Sequence, residues 1–355
     1  MTPSATHRVP LEIPIPDAGC TLAIERAWPA PNGALVVEGT DTVGRCRAGS
    51  IDAEGIATVT PHRHDTRLPG LSSTRGTLLV HRLGKRAVLR DDEAGRYVKV
   101  TRPGKAARIH QATRPLAGAL SSAGFETADE SLDASGDLIH ARAVAGSLIA
   151  HLDPDAWGLA LAAFERSWGS FATKAVHAPR TSSPTTPPPT HTAADEASIL
   201  AAWLDKLRAF DPLRLSAATT RLFVERVERS CQELTADARR AGVLAHRDLH
   251  DGQLLFDPDS RRLAVLDLDT AALTEPELDL ANLLAHLDFA AFTGSISRPM
   301  RDQAHAMIER LQLAVGGDPE RFACYRTTAE HRIACVWAFR PRSHDRATAW
   351  LAGER

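Results

Sequence analysis

The sequence predicts an α+β protein with a β-rich N-terminal part and a mainly helical C-terminal part. Up to residue 142, short runs of β-forming residues alternate with turn signals. From residue 154 onward, apolar residues recur mostly at helical spacing. One later stretch differs: Leu254 to Phe256 and Leu263 to Leu266 flank the turn 257–260, which predicts a short hairpin. The 355 residues allow one large domain or two to three modest ones.

Residues 1–70 are predicted to form a β-rich cap ahead of the remaining chain. Thr21 to Trp28 and Ala34 to Glu38 flank Pro31-Asn32-Gly33, which is typical of a hairpin turn. Val43 to Ile51 and Ile56 to Thr60 follow at similar spacing. This order favours a small antiparallel meander.

Residues 71–142 are predicted to form a second β-rich unit. Its elements are the strands Thr77 to Arg82, Arg86 to Arg90 and Arg96 to Val100, the helix Pro103 to Ala123, and the strand Asp137 to Arg142. Residues 143–355 are predicted to be mainly helical. The helices are Pro154 to Lys174, Ala193 to Phe210, Pro212 to Gly242, Met300 to Val315 and Arg321 to Ala338, with residues 176–194 as a flexible segment rich in proline and threonine.

Composition excludes several classes of partner. The net charge is −2 and both signs are mixed along the chain, so no nucleic-acid or membrane partner is expected. Five scattered cysteines without C-x-x-C spacing indicate reduced thiols. Because no leader and no apolar stretch of ~18 residues is visible, we expect a soluble, cytoplasmic protein.

Three polar side chains mark the hairpin as the candidate site. The loop His246-Arg247-Asp248 and Gln253 precede the first strand, and Asp267 follows the second. A hairpin places Asp248, Gln253 and Asp267 together at its open end, opposite the turn. Two carboxylates and an amide oxygen suit Mg²⁺ beside a general base, which is the arrangement of a phosphoryl-transfer site.

This motif resembles the protein-kinase-like superfamily, and the run Asp-Leu-His-Asp-Gly-Gln is most similar to its aminoglycoside-phosphotransferase branch. The N-terminal cap is loosely similar to the architecture of maltokinase-like members. The resemblance implies a bilobal kinase-like fold that uses ATP and Mg²⁺. It also implies that Asp248 is the catalytic base and that Gln253, in place of the family's asparagine, holds the metal with Asp267.

The same resemblance assigns the nucleotide contacts. Lys99 on the third strand would reach the α and β phosphates, below a turn containing Gly84 and Lys85. Backbone groups around Arg142 and Val144 would hold the adenine edge.

Other residues around the motif are expected to support it. By resemblance, His246 and Asp279 brace the catalytic loop. Strand alternation could place Asp269 on the same side as Asp267, but a hydrogen bond to nearby backbone is the favoured use. His250 and Asp251 fit a substrate contact and a loop scaffold equally well.

One feature departs from the family pattern. Kinases pair the strand lysine with a glutamate on the following helix, yet residues 103–123 contain no acidic residue. Gln111, His110 or a carboxylate from elsewhere would then orient Lys99. This departure leaves a second hypothesis open, a nucleotide-binding pseudokinase that acts as a regulatory or scaffolding module.

The acceptor is expected to be a small molecule. Only seven residues separate Asp267 from Glu275, whereas a peptide-docking activation segment needs roughly twenty or more. Residues 298–355 contain ten arginines and seven acidic residues, which favours a neutral or anionic sugar or polyol over a cationic antibiotic. The substrate pocket is expected mainly from the helices Met300 to Val315 and Arg321 to Ala338. Arg326, Glu330, His331 and Arg332 are candidates for it, although a solvated helix face is the favoured interpretation of each. The sequence does not predict the oligomeric state.

Overall fold

The computed structural model describes residues 9–16, 19–177, 188–239 and 242–354. Within these ranges the chain forms four β-sheets and eight α-helices. No helix in the described ranges combines the length and apolarity needed to cross a membrane. Most of the segment predicted to be flexible lies outside the described residues. Its last part is fixed, because His191 is buried and its amide donates to the Leu273 carbonyl at 2.8 Å.

The N-terminal sheet is the predicted meander. Its five antiparallel strands lie in chain order: β1 (Glu12–Ile15), β2 (Cys20–Pro29), β3 (Leu35–Asp41), β4 (Cys46–Ile51) and β5 (Ala57–Val59). The turn between β2 and β3 closes through Gly33, whose amide donates to the Ala30 carbonyl at 3.3 Å. Gly33 has φ +77°, which a residue with a side chain rarely adopts.

The second sheet contains the four predicted strands and one more, β10. The elements here are β6 (Thr77–Arg82), β7 (Arg86–Asp91), β8 (Arg96–Thr101), α1 (Ala106–Ser122), β9 (Glu126–Thr127), β10 (Glu130–Leu132) and β11 (Leu138–Arg142), and the sheet order is β10-β11-β8-β7-β6. Arg82 pairs with Arg86, and Val88 pairs with Lys99. Because cross-strand partners share a face, Arg82, Arg86 and Lys99 all lie on one face of this sheet.

The remaining chain is mainly helical, with two small sheets. Its elements are β12 (Ser147–Leu148), α2 (Pro154–His177), α3 (Ala193–Phe210), α4 (Ala217–Ala236), β13 (Val243–Ala245), β14 (Leu254–Asp257), β15 (Arg262–Val265), β16 (Ala272–Thr274), α5 (Leu278–Phe292), α6 (Arg298–Ala314), α7 (Pro319–Trp337) and α8 (His344–Ala352). Strands β14 and β15 form the predicted hairpin. Helix α4 starts at Ala217 instead of Pro212, because the Ser216 hydroxyl accepts from the Thr219 amide and caps the helix there.

The N-terminal sheet shares its hydrophobic core with the C-terminal helices. Ile24 and Val37 are fully buried in one cluster with Leu204 of α3 and with Phe339, which follows α7. The Ala27 amide of β2 also donates to the Phe339 carbonyl at 2.9 Å. The cap is therefore packed into the body of the protein, although these elements are about 300 residues apart in the chain.

Because this core is continuous, we predict that Ile24→Ala destabilises the whole protein by about 3 kcal/mol. Chemical denaturation followed by circular dichroism should show one cooperative transition that moves to lower denaturant, including the signal of the helices. Val43→Ala, at a side chain that is 68% exposed, is the control and should change stability by less than about 0.5 kcal/mol. Two separate transitions, of which only the first moves, would contradict a shared core.

Candidate active site

His246 joins the loop of Asp248 to the end of strand β15. The Asp248 amide lies 3.3 Å from Nδ1 of His246, and Nε2 of the same ring lies 2.8 Å from the Leu266 carbonyl. An amide can only donate, so Nδ1 is the acceptor and Nε2 carries the proton that Leu266 accepts. The imidazole thus brings Asp248 next to the residue that precedes Asp267.

Helix α5 also holds the loop that contains Asp248. The buried Asp279 carboxylate accepts from the amides of His246 and Arg247, both at 2.7 Å. One turn later, the Asn282 side chain donates to the Leu249 carbonyl at 2.8 Å. Burial raises the pKa of Asp279, against the opposing effect of His246 and the two amides. These contacts fix the backbone on both sides of Asp248.

The hairpin brings the two proposed metal ligands together. The Leu266 amide donates to the Gln253 carbonyl at 2.9 Å, so Gln253 lies opposite Leu266, the residue before Asp267, at the open end of β14 and β15. Asp267 has φ +53°, a left-handed conformation that is uncommon for a residue with a side chain. Such conformations concentrate at functional sites. A carboxylate and an amide oxygen in this position fit the ligand preference of Mg²⁺.

Lys99 binds two carboxylates that follow the hairpin. Its Nζ lies 2.9 Å from Asp267 Oδ1 and 2.6 Å from Asp269 Oδ1. Arg86, on the same sheet face, lies 3.6 Å from Asp267 and 3.7 Å from Asp269. The expectation of a backbone hydrogen bond for Asp269 is therefore wrong. The chain turns into a short 3₁₀ helix after Asp267, which directs both carboxylates to Lys99.

These contacts shift the pKa values of the group. Burial alone would raise the pKa of Asp267, but Lys99 and then Arg86 outweigh it and hold the pKa at about 2. Burial would also lower the pKa of Lys99, and the two aspartates reverse this so that its pKa is raised. Lys99 and Asp267 are therefore both charged at neutral pH.

Glu130 is the further carboxylate near Lys99, on strand β10 instead of helix α1. It lies 3.7 Å from His110 of α1. Burial raises the pKa of Glu130, Lys99 opposes this, and Asp269 raises it further. A cavity of about 590 Å³ extends between α1, Glu130 and Asp267. Sequence analysis missed Glu130 because it lies outside the helix in which kinases place their glutamate.

The predicted phosphate turn uses its backbone amides internally. The Gly84 amide donates to the buried Asp65 carboxylate at 2.6 Å, and the Lys85 amide donates to the Arg82 carbonyl at 2.9 Å. Asp65 also contacts Nε2 of His81 at 3.1 Å. Phosphate contacts at this turn are thereby left to side chains, and Lys85 is exposed.

At the predicted hinge, around residues 142–144, two backbone amides donate hydrogen bonds to carbonyls of the second β-rich unit. The Arg142 amide donates to the Asp129 carbonyl at 3.0 Å, and the Ala143 amide donates to the Gly95 carbonyl at 2.9 Å. Arg142 is exposed and Val144 is half-buried. The hinge thus closes the second sheet before the chain enters the helical part.

Arg332 of α7 reaches the proposed base. Its guanidinium lies 3.7 Å from the Asp248 carboxylate and 3.4 Å from Glu196, and Glu196 in turn contacts His191 at 2.9 Å. The prediction of a solvated face for this helix is wrong, since Glu330 and His331 are also buried. Arg332 was one of the candidate pocket residues, and no local pattern distinguishes it from the other arginines of this region.

His286, which sequence analysis did not consider, lies beside His250 and Asp251. The rings of His250 and His286 stack at 4.8 Å, and the nearest ligand atoms of His250, Asp251 and His286 all lie within 4.8 Å of one another. Burial lowers the pKa of both histidines and raises that of Asp251. This cluster borders the catalytic loop on the side of α5.

Comparison with known proteins shows which family and which solved structures the chain resembles. A family profile described as "Phosphotransferase enzyme family" matches residues 76–314. A solved thermostable mutant of aminoglycoside phosphotransferase APH(4)-Ia, in ternary complex with AMP-PNP and hygromycin B, is 16% identical, with 81% of this chain and 95% of that chain covered and a TM-score of 0.53. APH(3'')-Id from Streptomyces rimosus, in complex with ADP and streptomycin, is 18% identical, with 74% and 94% covered and a TM-score of 0.47. No curated protein matches the chain.

The similarity to the first of these structures confirms the predicted fold class, a kinase-like fold with a β-rich N-terminal region. The matched residues span the second sheet, the hairpin and helices α1 to α6. The N-terminal sheet, α7 and α8 lie outside the match.

Because Lys99 neutralises Asp267 and Asp269, we predict that Lys99→Met destabilises the protein at pH 7 in a pH-dependent manner. The folded-state pKa of Asp267 lies below its ordinary value of 3.8, so its stabilising contribution is complete above pH 3.8 and is lost as the pH falls toward about 2. Urea denaturation at several pH values should therefore show a stability gap between wild type and variant that narrows below pH 4. Lys105→Met removes an exposed lysine and is the matched control. A gap that stays constant down to pH 2.5 would contradict the ion pair.

Proposed function

The chain belongs to the phosphotransferase enzyme family, and on that premise we propose that it transfers the γ-phosphate of ATP, with Mg²⁺, to a hydroxyl of a sugar, polyol or amino-sugar-like metabolite. The observation that supports this proposal most directly is the contact between Lys99 and Asp267. The preceding residue, Leu266, donates its amide to Gln253 and accepts from the His246 ring, and the same ring accepts from the Asp248 amide.

Asp248 is the proposed general base. Its carboxylate accepts the proton of the acceptor hydroxyl as the hydroxyl oxygen attacks the γ-phosphate. The side chain is 43% exposed, which leaves it accessible to an acceptor, and the Arg332 guanidinium lies 3.7 Å from it. His246, Asp279 and the amides they bind keep its backbone in place.

Gln253 and Asp267 are proposed to hold Mg²⁺, and Lys99 to contact the α and β phosphates. When bound, the metal neutralises charge on the β and γ phosphates. Lys99 occupies the carboxylates of Asp267 and Asp269 in the present structure. Binding of nucleotide and metal would therefore require Lys99 to exchange at least the Asp267 contact for phosphate oxygens. Asp269 and Glu130 are suited to keep the lysine oriented in place of a helix glutamate.

A small acceptor is supported by the short connection after Asp267. The chain runs from the 3₁₀ helix 268–270 directly into β16 and then α5. Strand β16 pairs with β13, in front of the catalytic loop. This leaves no segment between hairpin and helix on which a peptide substrate could dock.

We predict that Asp248→Ala lowers turnover about 10²- to 10⁴-fold, the usual contribution of a general base. ADP formation should be measured with a panel of sugars, polyols and amino sugars, and AMP-PNP affinity should stay unchanged because the base does not contact the nucleotide. Asp259→Ala, in the exposed turn of the hairpin, is the matched control. AMP-PNP binding without ADP formation on any acceptor would instead favour a nucleotide-binding module.

We also predict that Gln253→Ala raises the Mg²⁺ concentration needed for half-maximal turnover at least tenfold, because one oxygen ligand is lost. EDTA should abolish turnover in the wild type, and added Mg²⁺ should restore it. Gln232→Ala removes an exposed glutamine of α4 and should leave the Mg²⁺ dependence unchanged. An unchanged Mg²⁺ dependence in Gln253→Ala would exclude Gln253 as a ligand.

A further inference from the structure

A basic pocket lies where the N-terminal sheet, the second sheet and α7 meet. It has a volume of about 150 Å³ and is lined by Arg26, Arg82, Arg86, Arg340, Trp28 and Trp203, with no acidic residue among its lining residues. The four arginines come from β2, from the hairpin of β6 and β7, and from the chain after α7. The lining therefore exists only because the N-terminal sheet packs against the body of the protein.

The positive charge of this pocket is only partly compensated. Arg26 pairs with the buried Glu38 at 2.7 Å, and Glu38 also accepts from the His81 amide. For Arg82 and Arg340, no salt bridge to a carboxylate is found within the described residues. Arg82 instead stacks over Trp28 at 4.8 Å, and Arg340 over Trp337 at 4.0 Å.

Burial and mutual repulsion make these charges costly. Burial, and then the neighbouring Arg26, lower the pKa of Arg340 to about 10. Burial, followed by Arg86, also lowers the pKa of Arg82. Arg82 and Arg86 are direct cross-strand partners, and like charges in this relation are destabilising. A bound anion would relieve both effects, because guanidinium groups form strong paired hydrogen bonds with phosphate and carboxylate.

The pocket lies close to the transfer site. Arg86 lines it and also approaches Asp267 at 3.6 Å. On the other side, Val336 lines the pocket one helical turn after Arg332, the residue that contacts Asp248. The pocket therefore borders both Arg86, which approaches a proposed metal ligand, and the helix of Arg332, which contacts the proposed base.

We propose that this pocket binds a phosphate or carboxylate group of the acceptor, so that the acceptor is an anionic sugar or polyol. The inference rests on the proposed function for the reaction itself. The volume of the pocket, about 150 Å³, equals the volume of roughly five water molecules, which is enough for one phosphate group. Arg26 and Arg340 lie outside the residues that match the family profile, whereas Arg82 and Arg86 lie within them.

Direct binding tests the pocket independently of turnover. Isothermal titration of inorganic phosphate, glucose 6-phosphate and glucose should show binding of both phosphate-containing ligands to the wild type. Arg340→Met should weaken both at least tenfold and leave AMP-PNP affinity unchanged. Arg310→Met, which removes an exposed arginine paired with Glu165, is the matched control and should bind like the wild type. If Arg340→Met does not fold, Arg82→Gln replaces it in the phosphate titrations.

Three binding results would overturn the proposal. The first is that neither phosphate-containing ligand binds the wild type. The second is that Arg340→Met, or Arg82→Gln in its place, binds these ligands as tightly as the wild type does. The third is an equal loss of AMP-PNP and phosphate affinity in Arg340→Met, which would assign the pocket to the nucleotide.

Turnover then separates this inference from the proposed function. ADP formation should be faster with phosphorylated or carboxylated sugars than with neutral sugars, and Arg340→Met should raise KM for the former. Transfer to neutral sugars with a KM that Arg340→Met leaves unchanged would overturn the acceptor assignment and keep the proposed function. Phosphate binding that depends on Arg340, without transfer to any acceptor, would overturn the proposed function and leave only an anion site.

Discussion

The ion pairs of Lys99 with Asp267 and Asp269 are the interaction on which the candidate site depends. They join strand β8 to the segment after the hairpin, about 170 residues later in the chain. Two carboxylates held this close would repel one another without a cation between them. Lys99 thus stabilises the left-handed conformation of Asp267 and fixes the second sheet against the hairpin. The cavity between α1, Glu130 and Asp267 is bounded by the elements that this charge group joins.

The parts of the site that sequence analysis predicted are those that short-range rules determine. The hairpin follows from two apolar runs around a turn of Asp, Pro and Ser, and it places Gln253 beside Asp267 without any long-range contact. The second sheet follows in the same way from alternating residues and glycine-containing turns. Lys99 was assigned through family resemblance, since a lysine in a strand has no distinguishing local pattern. In the structure Lys99 contacts Asp267, and its role toward the phosphates stays a prediction.

The parts that were missed depend on contacts between distant elements. Asp269 follows Asp267 by two residues, and only the turn into a 3₁₀ helix directs both to Lys99. Arg332 reaches Asp248 because α7 crosses the catalytic loop, and nothing near Arg332 in the sequence indicates this. The basic pocket requires β2, the β6–β7 hairpin and the end of α7 to meet. Local patterns predict individual helices and strands well, whereas contacts between distant elements depend on which apolar faces pack together.

Asp65 gives the N-terminal sheet a mechanical connection to the hairpin above the cleft. This buried carboxylate precedes the second sheet, yet it holds both the His81 ring and the Gly84 amide at the hairpin tip. The hairpin tip is therefore tied to the segment that follows the N-terminal sheet. Glu38 of β3 accepts from the His81 amide of the same hairpin, and Ala27 of β2 donates to the Phe339 carbonyl next to Arg340. These contacts join the hairpin, the N-terminal sheet and the end of α7, so the spacing of the four arginines is set by the packing of the N-terminal sheet.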